Sequence, residues 1–348
     1  MKYWNSRLRN TEEYLPGEQP GNIDEFIKLN TNENPFPPSK AVLEALRGAC
    51  DESLRRYPDP LSREVREIFA SQNDLSPENV FIGNGSDEIF TLILRGLVEQ
   101  DGLAAFPYPS YALYYTLAQV NGIAYDRVPL RADFTYDMGA FLNKKYNLVI
   151  VANPNNPTGT WCEIGDIESF LKKFKGLLVV DEAYVDFYNN TAIGLVKKYD
   201  NIIVTRSFSK SYSLAGLRIG VAAAHPDIIR GLMIIKDSYN VNRLSLAGAR
   251  AALLDQKSFR SSLQMVVSNK EYLEERLAGM GFTVVPSQAN FVFVRHPQVQ
   301  SEELYRKLKE NKILVRYYKG PVQGDYVRIS VGTMMEIKAL CKTLESVL

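Results

Sequence analysis

Ser207-Phe208-Ser209-Lys210-Ser211, followed by Leu217-Arg218-Ile219-Gly220, sets one lysine among hydroxyls with an arginine eight residues downstream. A lysine amine can form an imine with an aldehyde cofactor, and such a cofactor needs groups that grip its phosphate. Ser207, Ser209 and Arg218 can supply them, the guanidinium holding phosphate oxygens through a charge-assisted fork. The same segment also reads as a solvated loop between a strand and a helix. The remainder of the chain has to decide between the two.

Two further clusters bear on that decision. Gly83-Asn84-Gly85-Ser86-Asp87-Glu88 follows the apolar Val80-Phe81-Ile82 and opens a helix, where unpaired amides and the positive end of the dipole attract phosphate. A dinucleotide fingerprint would need glycine at position 88, and no Walker lysine follows, so nucleotide binding is disfavoured. Asp181 closes an apolar strand. As well as capping a helix, a carboxylate there could face the nitrogen of a pyridine ring, attracting its charge by roughly 5 kcal/mol at about 3 Å and keeping it protonated. Asn156 and Tyr184 sit beyond the same strand ends and could bond a ring hydroxyl. Tyr111, in Phe106-Pro107-Tyr108-Pro109-Ser110-Tyr111, could stack on the ring.

The elements that must position these groups follow from apolar periodicity. Leu148–Ala152, Leu177–Val180 and Ile202–Thr205 are short, almost wholly apolar runs with helix-like stretches such as 163–174 between them. Strands buried on both faces read this way, which predicts a parallel sheet with crossover helices. Each run ends in a polar cluster: Asn153–Gly159, Asp181–Tyr184 and the Ser/Lys stretch. In such a sheet all three face one crevice beyond the carboxyl ends. Helical spacing marks 41–50, 61–72 and 87–98. After a strand at 219–224 come a long helix at 258–280 and alternating strands at 282–286, 291–294 and 326–331, with a helix at 301–310. The prediction is an α/β chain: a large domain at 33–264, a smaller α+β domain at 265–348, and an N-terminal arm at 1–32 packing near the site.

The chain is long enough for two domains and for burying a cofactor, at 348 residues. Its 41 basic and 40 acidic side chains nearly balance, which argues against a nucleic-acid surface. Cys50, Cys162 and Cys341 are odd in number and far apart, fitting neither a disulfide framework nor a zinc site, so no metal is expected. The start, Met-Lys-Tyr-Trp-Asn-Ser-Arg, lacks the apolar core of a signal peptide and no apolar run spans a bilayer, so a soluble cytoplasmic protein without a membrane partner is expected. The two histidines, His225 and His296, each precede proline in apparent turns and are read as structural. Acid–base work then falls to Lys210.

The ordered set Asn-Pro-Asn-Asn-Pro-Thr-Gly, Asp-Glu-Ala-Tyr, Ser-Phe-Ser-Lys and Gly-Leu-Arg-Ile-Gly resembles the fold-type-I pyridoxal-phosphate aminotransferases over nearly the whole chain. The resemblance implies that Lys210 is the Schiff-base lysine, Asp181 the ring-nitrogen partner, Asn156 and Tyr184 the ring-hydroxyl partners, and Tyr111 the stacking ring. It assigns the phosphate to Ser86 and Asp87, through the loop and helix start, and to Ser207, Ser209 and Arg218. It further implies a homodimer in which Tyr57, in Arg56-Tyr57-Pro58-Asp59-Pro60, reaches the phosphate of the neighbouring subunit's cofactor.

Tyr14–Glu18, Leu29–Pro35, the Gly83–Glu88 run and Val327–Thr333 are most similar to the histidinol-phosphate branch of that family. Transfer of an amino group between histidinol phosphate and 2-oxoglutarate or glutamate, within histidine biosynthesis, is what this similarity implies. Arg328 would bind the carboxylate of glutamate, Arg328 and Arg316 the phosphate of the amine, and Tyr14 would close over the substrate. One anionic site would serve both half reactions, with freed, neutral Lys210 carrying the α-proton to the cofactor's aldehyde carbon. A threonine-phosphate decarboxylase, an aromatic-amino-acid aminotransferase and a non-catalytic cofactor-binding protein share much of the same template and stay open.

Overall fold

The computed structural model describes residues 2–348; of the arm expected at 1–32, residue 1 lies outside the described residues. Apolar runs dictate the central layer. Every residue of Leu148–Ala152 is buried, as are all but the first of Leu177–Asp181. Such segments can only sit between two covering layers, and they do. Seven strands line up in the order Val80–Gly83, Gly220–Ala224, Ile202–Ser207, Leu177–Asp181, Leu148–Ala152, Leu103–Tyr108, Ala124–Pro129. All neighbours are parallel except Gly220–Ala224, which runs antiparallel to both of its neighbours. The turn after Ile202–Ser207 returns the chain directly alongside that strand, with no crossover helix to turn it round.

Two elements of this sheet were not anticipated. Leu103–Tyr108 is half alanine and proline, and Ala124–Pro129, at the edge, leaves most of its residues at least partly exposed. Neither shows the Val/Ile/Leu signature of a buried strand. The expected helices appear with shifted ends, at Lys40–Ala49, Arg63–Gln72, Ser86–Gly96 and Ile164–Leu171. Ser39 caps the first of them, its hydroxyl accepting from the Val42 amide.

A second apolar core lies toward the carboxyl end. Arg316–Tyr317, Val327–Ser330, Phe291–Arg295 and Thr283–Val285 form an antiparallel sheet in that order. Helices Gln256–Gly279, Ser301–Glu310 and Met334–Val347 accompany it, and Leu273, Phe291, Ile329 and Leu340 are buried within the same cluster. The first of these helices runs unbroken through position 265. Ile27–Lys28 pairs in parallel with Ile313–Leu314, and Leu29 is buried in this core. The segment that follows, Asn30–Asn34, is therefore anchored on the C-terminal body and led into the crevice. No described helix is long and apolar enough to cross a membrane.

Candidate active site

Lys210 occupies the turn immediately after Ile202–Ser207. Phe208, 1% exposed and stacked on Tyr212, anchors that turn from below. The Lys210 Nζ donates to the Thr31 carbonyl at 3.0 Å and lies 5.9 Å from the centre of the Tyr184 ring. Burial lowers its pKa to about 8, Arg328 and Arg218 push the same way, and Glu33 and Asp87 offset part of the shift. An amine so placed is far more often neutral near physiological pH than an ordinary lysine, the state needed for nucleophilic and basic work.

Asp181 ends the neighbouring strand, 5% exposed. It accepts hydrogen bonds from the Tyr114 hydroxyl, from the Ala183 amide at 3.1 Å and from the Thr205 hydroxyl at 3.3 Å. Burial raises its pKa to about 6, against the pull of these three donors. The carboxylate is thus ionised at neutral pH and held where a cation would be welcome.

Beside this pair lies a cradle for an anion. Gly85, at φ +81°, opens the helix Ser86–Gly96, and a Cβ at Gly85 would come within 2.7 Å of the Arg218 guanidinium. A Cβ at Gly220 would lie 2.4 Å from the Ser86 amide nitrogen, so backbone approaches backbone only because both positions are glycine. Arg218 is itself in the left-handed region, at φ +53°. Its Nη2 pairs with Asp87 Oδ2 at 2.8 Å, and Asp87 Oδ1 accepts from Tyr111 at 3.4 Å. The Asp87 carboxylate therefore orients the arginine and the tyrosine, and Asp87's own share in holding an anion falls to its backbone amide at the helix start. Ser209 Oγ is buried with no partner, a hydroxyl whose bond awaits an acceptor.

On the opposite wall Arg328, 5% exposed, donates from Nη1 to Asn156 Oδ1 at 2.6 Å and from Nη2 to the Asn30 carbonyl at 2.7 Å. Its Nε is buried without a partner. Arg316 lies directly across the strand pair from Arg328, and both guanidinium groups lie over the ring of Tyr318, at 5.2 and 5.7 Å. Tyr184 accepts from Asn32 at 3.0 Å, and burial pushes its hydroxyl pKa up. The arm reaches this wall. Arg316 donates to the carbonyls of Leu15 and Pro16 at 2.6 and 2.9 Å, and Tyr14 meets Tyr111 edge to face with ring centres 5.7 Å apart.

The model of the aminotransferase class I and II family matches residues 24–344. A histidinol-phosphate aminotransferase from Pseudomonas putida is 40% identical over 348 residues, covering 99% of each chain. Histidinol-phosphate aminotransferase 1 of Oceanobacillus iheyensis is likewise 40% identical, covering 100% of this chain and 98% of its own. The chain belongs to the class I and II aminotransferase family. Among solved structures, histidinol-phosphate aminotransferase from Sinorhizobium meliloti in complex with pyridoxal-5'-phosphate superposes with a TM-score of 0.90 at 26% identity, covering 100% of this chain and 98% of that one.

In this aminotransferase direct contacts link Asp181 through Tyr114 and Tyr111 to Asp87, Arg218 and Tyr14, bring Lys210 beside Tyr184, and join Arg328 to Asn156 and, over Tyr318, to Arg316; Ser86 and Ser209 flank Asp87 and Lys210 in the chain. The Ser207 hydroxyl accepts from the Ser209 amide at 3.2 Å. Tyr57 is apart, 76% exposed and stacked on Tyr239 with ring centres 4.2 Å apart. His225 caps the helix Pro226–Ile235 and His296 bonds the Met280 carbonyl, both away from the crevice. Sequence reasoning missed Tyr114, Thr205, Asn32 and Tyr318. Only Asn32 had a signal, the Leu29–Pro35 motif, which carried no assigned role; Tyr114 and Tyr318 are two among 20 tyrosines.

Proposed function

We propose that this aminotransferase exchanges an amino group between histidinol phosphate and 2-oxoglutarate or glutamate by means of pyridoxal 5'-phosphate. The observation that carries this is a lysine of lowered pKa and a buried aspartate at the ends of neighbouring sheet strands, with a buried arginine fixed on Asn156. The residues fit the cofactor: Ser209 Oγ is a buried hydroxyl lacking a partner, and the Gly85/Gly220 cradle has no room for a Cβ. When bound, the cofactor supplies an aldehyde for the amine and an electron-withdrawing ring.

Each protein group then has one task. Lys210 would hold the cofactor through its amine, and in its neutral form it is the base that would take up and return the substrate's α-proton. Asp181 would face the ring nitrogen and favour its protonated form; Asn156 and Tyr184 would bond the ring hydroxyl; Tyr111 would cover the ring face. Ser86, Asp87, Ser207, Ser209 and Arg218 form the phosphate site. Arg328 takes the carboxylate of glutamate, Arg328 with Arg316 the phosphate of the amine, and Tyr14 lies over both. The exposed Tyr57 suits a partner's cofactor in a homodimer, and the chain works as a cytoplasmic biosynthetic enzyme.

The full-length relatives named above favour transamination over threonine-phosphate decarboxylation. The deciding experiment mixes purified protein and cofactor separately with histidinol phosphate, threonine phosphate and phenylalanine, each with 2-oxoglutarate, and identifies products. Glutamate formed fastest from histidinol phosphate is expected. Carbon dioxide from threonine phosphate would overturn the assignment.

A further inference from the structure

Tyr114 stands on the helix Leu113–Asn121, wholly buried. Its ring is packed by Phe90 and Tyr111, both edge to face with centres 5.2 and 5.4 Å away, and by Phe106 at 5.9 Å. An aromatic pocket of this kind offers a hydroxyl nothing to bond, and a buried hydroxyl without a partner is strongly disfavoured. Here it finds one. The Tyr114 hydroxyl donates to Asp181 Oδ2 at 2.5 Å, while Ala183 and Thr205 donate to Oδ1 from the other side. We propose that Tyr114 is a positioning residue that fixes the Asp181 carboxylate and weakens its basicity, so that the shared proton stays on the cofactor's ring nitrogen.

A carboxylate and a pyridine nitrogen facing each other compete for one proton. Hydrogen bonds donated to the carboxylate stabilise its charged form and leave the proton on nitrogen, the form that withdraws electrons best. The ionisable groups around Asp181 are few: Tyr114, Tyr136, Tyr184 and Asp87. Burial raises the pKa of all three tyrosines, so they stay neutral at working pH, and Asp87 adds a like charge that opposes the Asp181 anion. Of the hydroxyls bonded to Asp181, Tyr114 makes the shorter contact, at 2.5 Å against 3.3 Å for Thr205. Anchoring from both oxygens also sets the plane of the carboxylate and leaves lone pairs on each oxygen for a further donor.

This inference rests on the proposed use of pyridoxal phosphate, and the test separates the two. Tyr114→Phe and Thr205→Val are prepared as holoenzymes beside the unaltered protein, with cofactor labelled with nitrogen-15 in the ring. Nuclear magnetic resonance then reads the ring nitrogen, absorbance titration reads the pH midpoint of the bound chromophore, and thermal melting reports the fold. For Tyr114→Phe the ring-nitrogen signal is expected to move toward neutral pyridine, the chromophore midpoint to rise, and cofactor affinity to fall on the order of tenfold. Thr205→Val should shift the same signals less, in the same direction. A folded Tyr114→Phe with unchanged nitrogen signal and midpoint would overturn the proposal. Should Tyr114→Phe fail to fold, an unshifted Thr205→Val would do so. If the unaltered protein binds no pyridoxal phosphate, the proposed function fails, and this inference with it.

Discussion

Arg328 and Asn156, 172 positions apart in sequence, are joined by a 2.6 Å hydrogen bond from Nη1 to Oδ1. The bond ties the C-terminal antiparallel sheet to the loop after Leu148–Ala152. With Nη2 fixed on the Asn30 carbonyl, the guanidinium plane is set before any substrate arrives, and the buried Nε lacks only an acceptor. Arg328→Lys keeps the charge but loses this fork. Steady-state kinetics should show KM for both the keto acid and the phosphorylated amine rising on the order of 10- to 100-fold, the equivalent of about 1.5–3 kcal/mol in a charged hydrogen bond. Unchanged KM values would remove Arg328 from the anion site.

Ser209 offers a cleaner separation of stability from binding. Its buried Oγ has no protein partner, so Ser209→Ala should leave the thermal midpoint of cofactor-free protein unchanged or slightly raised. Affinity for pyridoxal phosphate should nevertheless fall by about 1.5–3 kcal/mol, the worth of a bond to a charged acceptor. Equilibrium dialysis of both proteins measures it, and equal affinities would exclude Ser209 from the phosphate site.

Lys210 predicts a pH dependence. Its folded pKa of about 8 lies below the ordinary 10.5, burial being the main cause. The unfolded chain therefore binds the extra proton between these values, and the cofactor-free fold gains stability as pH rises from 8 to 10.5. Below pH 8 the buried amine carries a penalty of at most about 3 kcal/mol. Lys210→Met should therefore stabilise the cofactor-free protein at pH 7, less whatever the lost bond to Thr31 was worth. The advantage should shrink toward pH 10.5. Chemical denaturation across this range checks it. The same variant should not be labelled when pyridoxal phosphate and borohydride are added, as read by mass spectrometry, and turnover should fall by 10²-fold or more.

The sequence reveals the middle of the sheet and little of its margin. Leu148–Ala152, Leu177–Val180 and Ile202–Thr205 are buried apart from Leu177, so hydrophobic patterning alone marks them and the polar clusters at their ends. Leu103–Tyr108 and Ala124–Pro129 escape because prolines and exposed positions break that pattern. Lys210, Asp181 and Arg218, the candidates for the site's chemistry, are legible from residue type and spacing. Partners such as Tyr114 and Asn32 are not, because their roles come from tertiary approach: Tyr114 meets Asp181 across 67 positions, and Asn32 meets Tyr184 across 152. Arg316 was legible as a cation, yet its hold on the Leu15 and Pro16 carbonyls depends on where the arm lies.

Directly behind Asp181 and Lys210 lies a polar network. Glu182 follows Asp181, Ser211 follows Lys210, and one buried network joins them. The fully buried Glu182 accepts from Arg206 Nε at 3.2 Å and from Thr191 at 2.6 Å; Arg206 also faces Asp186, which accepts from Ser211. Burial raises the Glu182 pKa, with Arg206 pulling the other way. Glu182→Ala strands the Arg206 cation, whose side chain is only 18% exposed, with Asp186 at 3.8 Å as its remaining counter-charge. Breaking a buried pair in this way costs about 3–5 kcal/mol. Glu182→Gln, which keeps the shape and some of the hydrogen bonds, should lose less. Thermal melting should rank unaltered protein, Gln and Ala in that order. Because the network ends beside Lys210, lysine labelling by cofactor and borohydride should slow in the same order. A variant that melts early but labels at the normal rate would show that the network supports the fold without aligning the amine.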